Sequence, residues 1–165
     1  MAAVAVGAAL AQDEPPLRDC ATRAEPSRGK LRFIGPRDVV VGPLSFVSLE
    51  VARSRAGIDR KDGRWFRKSA VKMLYGNDVV LTVPEKYRSL LWLEYSPRGE
   101  RTSAVRFSAC PPGTRMFNGG TYGRVTGFSG AFVFARLGCY PIEVRVERGR
   151  TYRRTISLGA GRCGQ

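Results

Sequence analysis

IEVRVERGRTYRRTISL, residues 142–158, is the clearest pattern in the sequence. Apolar residues alternate with charged ones in its first half, at Ile142, Val144 and Val146. A period of two is typical of a strand with one buried face. Arg148-Gly149-Arg150 predicts a turn, after which apolar side chains return to the core side at Tyr152, Ile156 and Leu158. The stretch therefore predicts a β-hairpin.

The rest of the chain from Leu31 onward repeats this pattern of short apolar runs separated by turn residues. Alternation is clearest at Val79, Leu81 and Val83 and again at Val105, Phe107 and Ala109. One helical turn is expected after Pro84, and a central strand at 90–93. The pattern predicts an all-β fold, an immunoglobulin-like or related β-sandwich of about eight or nine strands. A small closed β-barrel is the alternative.

The 165 residues suit one domain. We predict a remnant signal peptide at 1–11, because a short apolar run ends in the small-x-small site Ala9-Leu10-Ala11. An extended, proline-rich and charged lead-in follows at 12–30, anchored by Cys20. A single β-sandwich domain is expected at 31–165. No segment of the sequence is long and apolar enough to be transmembrane.

The four cysteines are an even number, which is typical of proteins exported to an oxidising compartment. Three pairings are open to them. Because chain ends are often neighbours in a compact domain, we expect Cys20 to pair with Cys163 and Cys110 with Cys139. A metal site is not predicted, since the sequence has no C-x-x-C pair and no histidine.

The net charge is +14, with 23 arginines and five lysines. A protein of this charge is attracted to polyanions such as acidic envelope polymers, anionic lipid or nucleic acid. Arginine spread along the whole chain is also produced by genome base composition. Charge alone therefore does not identify a partner.

The segment 53–72, RSRAGIDRKDGRWFRKSAVK, combines cations with aromatic rings. Cations bind acidic polymers through charge and counterion release, and an aromatic ring can stack on a base or a sugar. The alternative is a solvated loop whose rings cover the core. The predicted polyanion-binding residues are Arg60, Lys61, Arg64, Trp65, Arg67 and Lys68.

The segment 111–130 is rich in glycine and contains three aromatic residues. Backbone without side chains can approach a ligand closely, and the rings offer flat surfaces. A long irregular loop covering one end of the core is the alternative. The predicted ligand-loop residues are Phe117, Tyr122 and Phe128.

Catalysis is not predicted, and neither is a cofactor. Ser129 lies between glycines in GFSGAF, residues 127–132, but the sequence has no histidine to act as its base. A glycosidase would need two facing carboxylates. The spacing of the few carboxylates in or beside the predicted strands does not place two of them face to face. These carboxylates are Glu50, Asp78, Glu94 and Glu143.

Residues 128–132 (FSGAF), Cys139 seven residues later, and Leu158-Gly159 followed by Cys163 resemble small exported, disulfide-bonded proteins of actinobacteria. The resemblance covers about the last third of the chain. It implies an extracytoplasmic location and a disulfide-bonded β domain.

The expected function is an exported, non-catalytic binding or structural module at the cell envelope. Acidic envelope polymers or an envelope protein are the expected partners, and nucleic acid is not favoured. The alternatives are a small secreted hydrolase and a subunit of a larger surface assembly.

Overall fold

The computed structural model describes residues 14–22, 31–116 and 119–164. Thirteen strands are found there, β1 to β13 in chain order. Their bounds are Leu17–Arg18, Val39–Val41, Leu44–Phe46, Asp59–Lys61, Arg64–Lys68, Val71–Leu74, Asp78–Thr82, Leu91–Glu94, Ala104–Ser108, Val125–Phe128, Ala131–Phe134, Gly138–Val146 and Thr151–Leu158. Three short 3₁₀ helices complete the regular structure, at Cys20–Thr22, Leu49–Ser54 and Glu85–Tyr87.

The strands form three sheets. Sheet A has the order β1-β9-β7-β12-β13, sheet B the order β10-β6-β3-β2, and sheet C the order β4-β5-β11-β8. All pairs are antiparallel except β1 with β9, which is parallel. The all-β, sandwich-like class is confirmed, and no closed barrel is found among the described strands.

The predicted hairpin is present as β12 and β13, which pair from Gly138 opposite Leu158 to Arg145 opposite Thr151. The predicted inward residues are buried on both strands, except that Val146 is half-buried and Tyr152 is exposed. Tyr152 instead lies against Gly42 at the end of sheet B, where a Cβ atom would come within 2.4 Å of the ring.

An aromatic cluster fills the space where the three sheets meet. Phe107 of sheet A lies 5.4 Å from Phe128 of sheet B, measured between ring centroids. Tyr95, just after β8, packs edge-on against Phe107 and against Phe132 of sheet C, both at 5.8 Å. Phe46 of sheet B completes the cluster at 5.5 Å from Phe132. Edge-to-face ring pairs at this spacing stabilise a core beyond their buried area.

The disulfides join Cys20 to Cys110 and Cys139 to Cys163, so the predicted pairing is wrong. The hairpin register explains the second bond, because Cys139 lies opposite Ser157 and the chain turns back six residues later at Cys163. The parallel pairing of β1 with β9 explains the first, since it carries Cys20 towards Cys110. Cys20 and Cys163 are therefore each bonded to a different partner rather than to each other.

Three further expectations need correction. Thirteen strands exceed eight or nine because several strands of two or three residues are too short to show alternation. The lead-in is not wholly outside the domain, since β1 at Leu17–Arg18 joins sheet A. The expected central strand at 90–93 is β8, the last strand of sheet C, with one bridge from Leu93 to Thr102 beyond it. Residues 1–11 lie outside the described residues.

Candidate functional site

Sheet C separates the residues of segment 53–72 onto two faces. Residues directly opposite each other in a sheet share a face. Trp65 lies opposite Phe134 and Arg67 lies opposite Phe132, and both phenylalanines belong to the hydrophobic core, so Trp65 and Arg67 belong to the inner face. Phe66 lies opposite Val133, which in turn lies opposite Trp92, so these belong to the outer face.

We call five outer-face residues the basic-aromatic face: Lys61, Arg64, Phe66, Lys68 and Trp92. The Arg64 guanidinium lies over the Trp92 ring, 4.1 Å from its centroid. The Lys61 ammonium lies 6.0 Å from the Phe66 centroid. Cations at such distances are held by the negative face of the ring. The rings therefore orient the cations, which differs from the stacking surface expected from the sequence.

Arg60 and Trp65 form a separate pair on the other side of the sheet. Arg60 lies opposite Trp65 in the register, and its guanidinium is 4.9 Å from the Trp65 centroid. Trp65 packs against the core from this position. The structure therefore places these two predicted residues away from the basic-aromatic face.

Arg67 is buried, which corrects its prediction as a polyanion contact. Its guanidinium donates to three backbone carbonyl oxygens, at Ser48 (2.5 Å), Gly57 (3.0 Å) and Ala56 (3.3 Å). Burial lowers the pKa of Arg67, against an opposing effect of Asp59, but a guanidinium remains charged at neutral pH. Arg67 thus fastens the 48–57 segment to sheet C.

Lys72, the last cation of segment 53–72, is also buried and structural. Its ammonium lies 2.6 Å from a carboxylate oxygen of Asp38 and donates to the carbonyl oxygen of Arg32. Asp38 also accepts from the amides of Gly35 and Ser48. Burial alone would raise the pKa of Asp38, but these hydrogen bonds and the charge of Lys72 bring it below its ordinary value.

An open depression of about 450 Å³ continues the basic-aromatic face towards β10 and β11. Phe66 and Lys68 line it together with Glu94, whose carboxylate lies 3.5 Å from Arg101 Nε. Ser129 lines the same depression. Within the described residues, no hydrogen bond joins Ser129 to Lys68.

The glycine after Ser129 has a packing role. A Cβ atom on Gly130 would come within 2.0 Å of the Tyr95 ring. Burial raises the pKa of Tyr95 far above its ordinary value, so its hydroxyl stays protonated and donates to the Ser69 carbonyl at 2.6 Å. The spacing in GFSGAF therefore follows from close packing in the core.

Among the described residues, the glycine-rich segment does not present its two predicted rings to a ligand. Phe128 belongs to β10 and has no exposed surface, and Tyr122 is buried. Tyr122 exchanges backbone hydrogen bonds with Gly113 and Thr114. These findings correct the predicted ligand loop for Tyr122 and Phe128, while Phe117 lies outside the described residues.

The carboxylates considered for catalysis lie apart, and three of them pair with arginines. Glu50 pairs with Arg53, Glu94 with Arg101, and Glu143 with Arg153. In the described part of the chain no group of three potential metal ligands is found. The prediction of a non-enzyme without cofactor or metal stays a prediction.

Trp92 is the site residue that the sequence interpretation missed. The run Leu90-Leu91-Trp92-Leu93 was expected to be buried on both faces, yet Trp92 is only half-buried and carries Arg64. The following Glu94 was the available signal, because an alternation ending in a charged residue indicates one solvated face.

The fold and site together define an all-β, two-disulfide domain with a cationic sheet face. No protein-family model, curated protein or solved structure matches the chain. The resemblance to exported actinobacterial proteins therefore stays a prediction.

Proposed function

We propose that this protein is a non-catalytic binding module of the cell envelope that holds acidic polymers on its basic-aromatic face. The observation that carries the proposal is the stacking of Arg64 on Trp92, with Lys61 and Lys68 on the same face. A cation held in place loses less side-chain freedom when a polymer binds, so more of the electrostatic attraction appears as affinity.

Two features favour acidic envelope polymers over nucleic acid. Arg64 covers the Trp92 ring, so this ring is less open to a stacking base than a bare aromatic platform would be. Asp59 and Glu94 lie on the same sheet face as the cations and would repel a densely charged phosphate backbone. A polymer whose carboxylates are spaced apart fits this mixture of cations and carboxylates better than nucleic acid does.

An extracytoplasmic location is part of the proposal. Two disulfides are typical of proteins in oxidising compartments. In the described residues no helix has the length and hydropathy to cross a bilayer. Placement at the cell envelope in particular rests on the proposed ligand, because acidic polymers are found there.

The test compares two triple variants of equal charge. Lys61→Gln, Arg64→Gln and Lys68→Gln together remove three charges from the basic-aromatic face. The control removes three exposed charges near the turn of the β12-β13 hairpin, through Arg145→Gln, Arg148→Gln and Arg150→Gln. Binding to polygalacturonate, polyphosphate and single-stranded DNA is measured across a salt series.

We expect the first variant to bind polygalacturonate at least tenfold more weakly than wild type. The slope of the logarithm of its binding constant against the logarithm of salt concentration should fall in magnitude by roughly 2 to 3. The control should bind as wild type does. Equal losses in both variants would mean that the charge acts without a defined site. Undetectable binding by wild type would exclude the polymer proposal and favour an envelope protein as partner.

A hydrolase is the second candidate, because Ser129 and Lys68 line one depression. A serine with a lysine base is a known catalytic arrangement. Labelling by a serine-reactive fluorophosphonate that Ser129→Ala and Lys68→Gln both abolish would support this candidate. Labelling that neither substitution changes would exclude it.

A further inference from the structure

A second depression, of about 440 Å³, lies at the free edge of β13, the last strand of sheet A. Residues from three parts of the chain line it: Arg53, Arg154, Thr155, Ser157, Cys163 and Gly164. None of them belongs to the basic-aromatic face. The volume falls within the range of small-molecule sites, about 300 to 1,000 Å³.

Covalent and backbone contacts hold the walls of this depression together. The disulfide to Cys139 fixes Cys163 over the hairpin. The amide of Gly161 donates to the Arg53 carbonyl at 3.0 Å, which ties the returning chain to the 3₁₀ helix at Leu49–Ser54. The depression is therefore built from braced elements.

The hydroxyl of Ser157 is the feature that points to a ligand. Ser157 is only 7% exposed, and its Oγ has no hydrogen-bond partner among the described residues. Buried polar groups in folded proteins nearly always have a partner, and leaving one without is costly. The Oγ atom itself has almost no accessible surface, so a ligand atom in this depression would supply the missing partner once the Ser157 side chain turns towards it.

Two guanidinium groups give the depression a positive charge. Arg154 donates to the Val40 carbonyl at 3.0 Å, and Arg53 pairs with Glu50 at 2.5 Å. A guanidinium has five N–H groups, and each of these contacts involves one nitrogen, so donors remain on both side chains for a ligand. The residues that line the depression include no carboxylate side chain.

We propose that this depression binds the oxyanion of a small phosphate or sulfate ester. Arg53 and Arg154 would neutralise the charge, the Ser157 hydroxyl would donate to an ester or oxyanion oxygen, and the remaining volume would hold the organic group. The proposal does not depend on the function proposed for the basic-aromatic face.

The full chain with its disulfides intact is titrated by calorimetry at constant ionic strength with inorganic phosphate, sulfate and glucose 1-phosphate. Ser157→Ala and Arg154→Gln test the site. Arg153→Gln is the matched control, because it removes the same charge from the neighbouring residue, which pairs with Glu143 instead.

Both site variants are expected to bind the anions about tenfold more weakly, the loss of one hydrogen bond to a charged group. The control should stay within about twofold of wild type. Without anion, Ser157→Ala should unfold at the same temperature as wild type or higher, since its hydroxyl has no protein partner. If Arg154→Gln does not fold, Ser157→Ala still tests whether the depression binds the anion.

Tighter binding of glucose 1-phosphate than of inorganic phosphate would support an ester, whereas equal or weaker binding would overturn that part of the proposal. Absence of binding at millimolar anion, an unchanged affinity in Ser157→Ala, or an equal loss in Arg153→Gln would each overturn the site itself. Unchanged phosphate binding by the triple variant of the basic-aromatic face is expected, and a loss there would refute the separation of the two sites.

Discussion

At the scale of single residues, neighbours in sequence have opposite roles. Arg67 points inward and binds three carbonyl oxygens, while Lys68 is exposed beside the open depression. A sequence shows both only as basic residues. The sequence interpretation predicted both as polyanion contacts, and only the register, which sets Arg67 opposite the core residue Phe132, places Arg67 on the inner face.

Arg67→Gln and Lys68→Gln should therefore have opposite effects. We expect Arg67→Gln to lower the free energy of unfolding by about 3 kcal/mol, because it leaves buried carbonyl groups without a donor. Lys68→Gln should change it by less than about 0.5 kcal/mol but weaken polygalacturonate binding. Urea unfolding and the binding titration measure the two effects. Equal stability of the two variants would contradict the structural role of Arg67.

Gly130 provides a second test at this scale. Gly130→Ala should destabilise the protein by about 2 to 3 kcal/mol, because the added methyl group overlaps the Tyr95 ring in a packed core. Gly123→Ala is the control, since nothing lies within 4 Å of its Cβ position. Thermal and urea unfolding compare the two. A Gly130→Ala variant as stable as wild type would contradict the packing role of this glycine.

At the scale of elements, strands with a long alternation of apolar and polar residues could be predicted. The strands that pair with them in a sheet could not, apart from the hairpin. The β12-β13 hairpin is local, so its turn and register follow from one stretch of sequence. The pairing of β11 with β5 and β8 joins distant segments, and no residue pattern in one sequence specifies it. The predicted disulfide pairing was wrong for a related reason, because Cys20 is brought to Cys110 by the non-local pairing of β1 with β9. Glu94 indicated that Trp92 lies on a solvated face, but the contact of Trp92 with Arg64 depends on the pairing of β11 with β5 and β8 and could not be predicted.

The contact between Asp38 and Lys72 ties the segment before β2 to β6, and it should make stability depend on pH. The folded pKa of Asp38 is lowered, so its contribution is fully present above the pKa of the unfolded chain, about 4. The contribution is lost as the pH falls through the folded pKa. We expect Asp38→Asn to cost about 3 kcal/mol at pH 7.

Urea unfolding from pH 7 down to pH 2 measures this effect. The difference in unfolding free energy between wild type and Asp38→Asn should shrink as the pH falls below about 4. The pair of Arg153 and the half-buried Glu143 is the control, because Glu143→Gln removes a carboxylate whose arginine partner is solvated. A pH-independent difference for Asp38→Asn would show that packing, rather than ionisation, explains the loss.

At the scale of the whole molecule, two disulfides close loops of very different length. Cys20 and Cys110 are 90 residues apart, and Cys139 and Cys163 are 24 apart. By loop entropy, replacing the first pair by serine should cost about 4.6 kcal/mol and the second about 3.5 kcal/mol. Urea unfolding of the two double variants measures these costs. Mass spectrometry of a non-reduced digest should find these two linkages, and peptides joining Cys20 to Cys163 would contradict the architecture.

The net charge of +14 is distributed over the whole molecule, so the decisive question is whether polymer binding is local. The fluorescence of the two tryptophans of the sequence can answer this question. Arg64 lies over Trp92 in the basic-aromatic face. Arg60 lies over Trp65 on the inner side of sheet C. A polymer that draws Arg64 away alters the surroundings of Trp92 alone.

Trp65→Phe and Trp92→Phe leave one tryptophan each for fluorescence titration with polygalacturonate. We expect the emission of Trp65→Phe, which retains Trp92, to change in a saturable and salt-sensitive way. The emission of Trp92→Phe should stay constant over the same range, because Trp65 packs against the core. Equal responses would indicate polymer spread over the whole surface. The charge would then be a general property of the chain, and the basic-aromatic face would need another ligand.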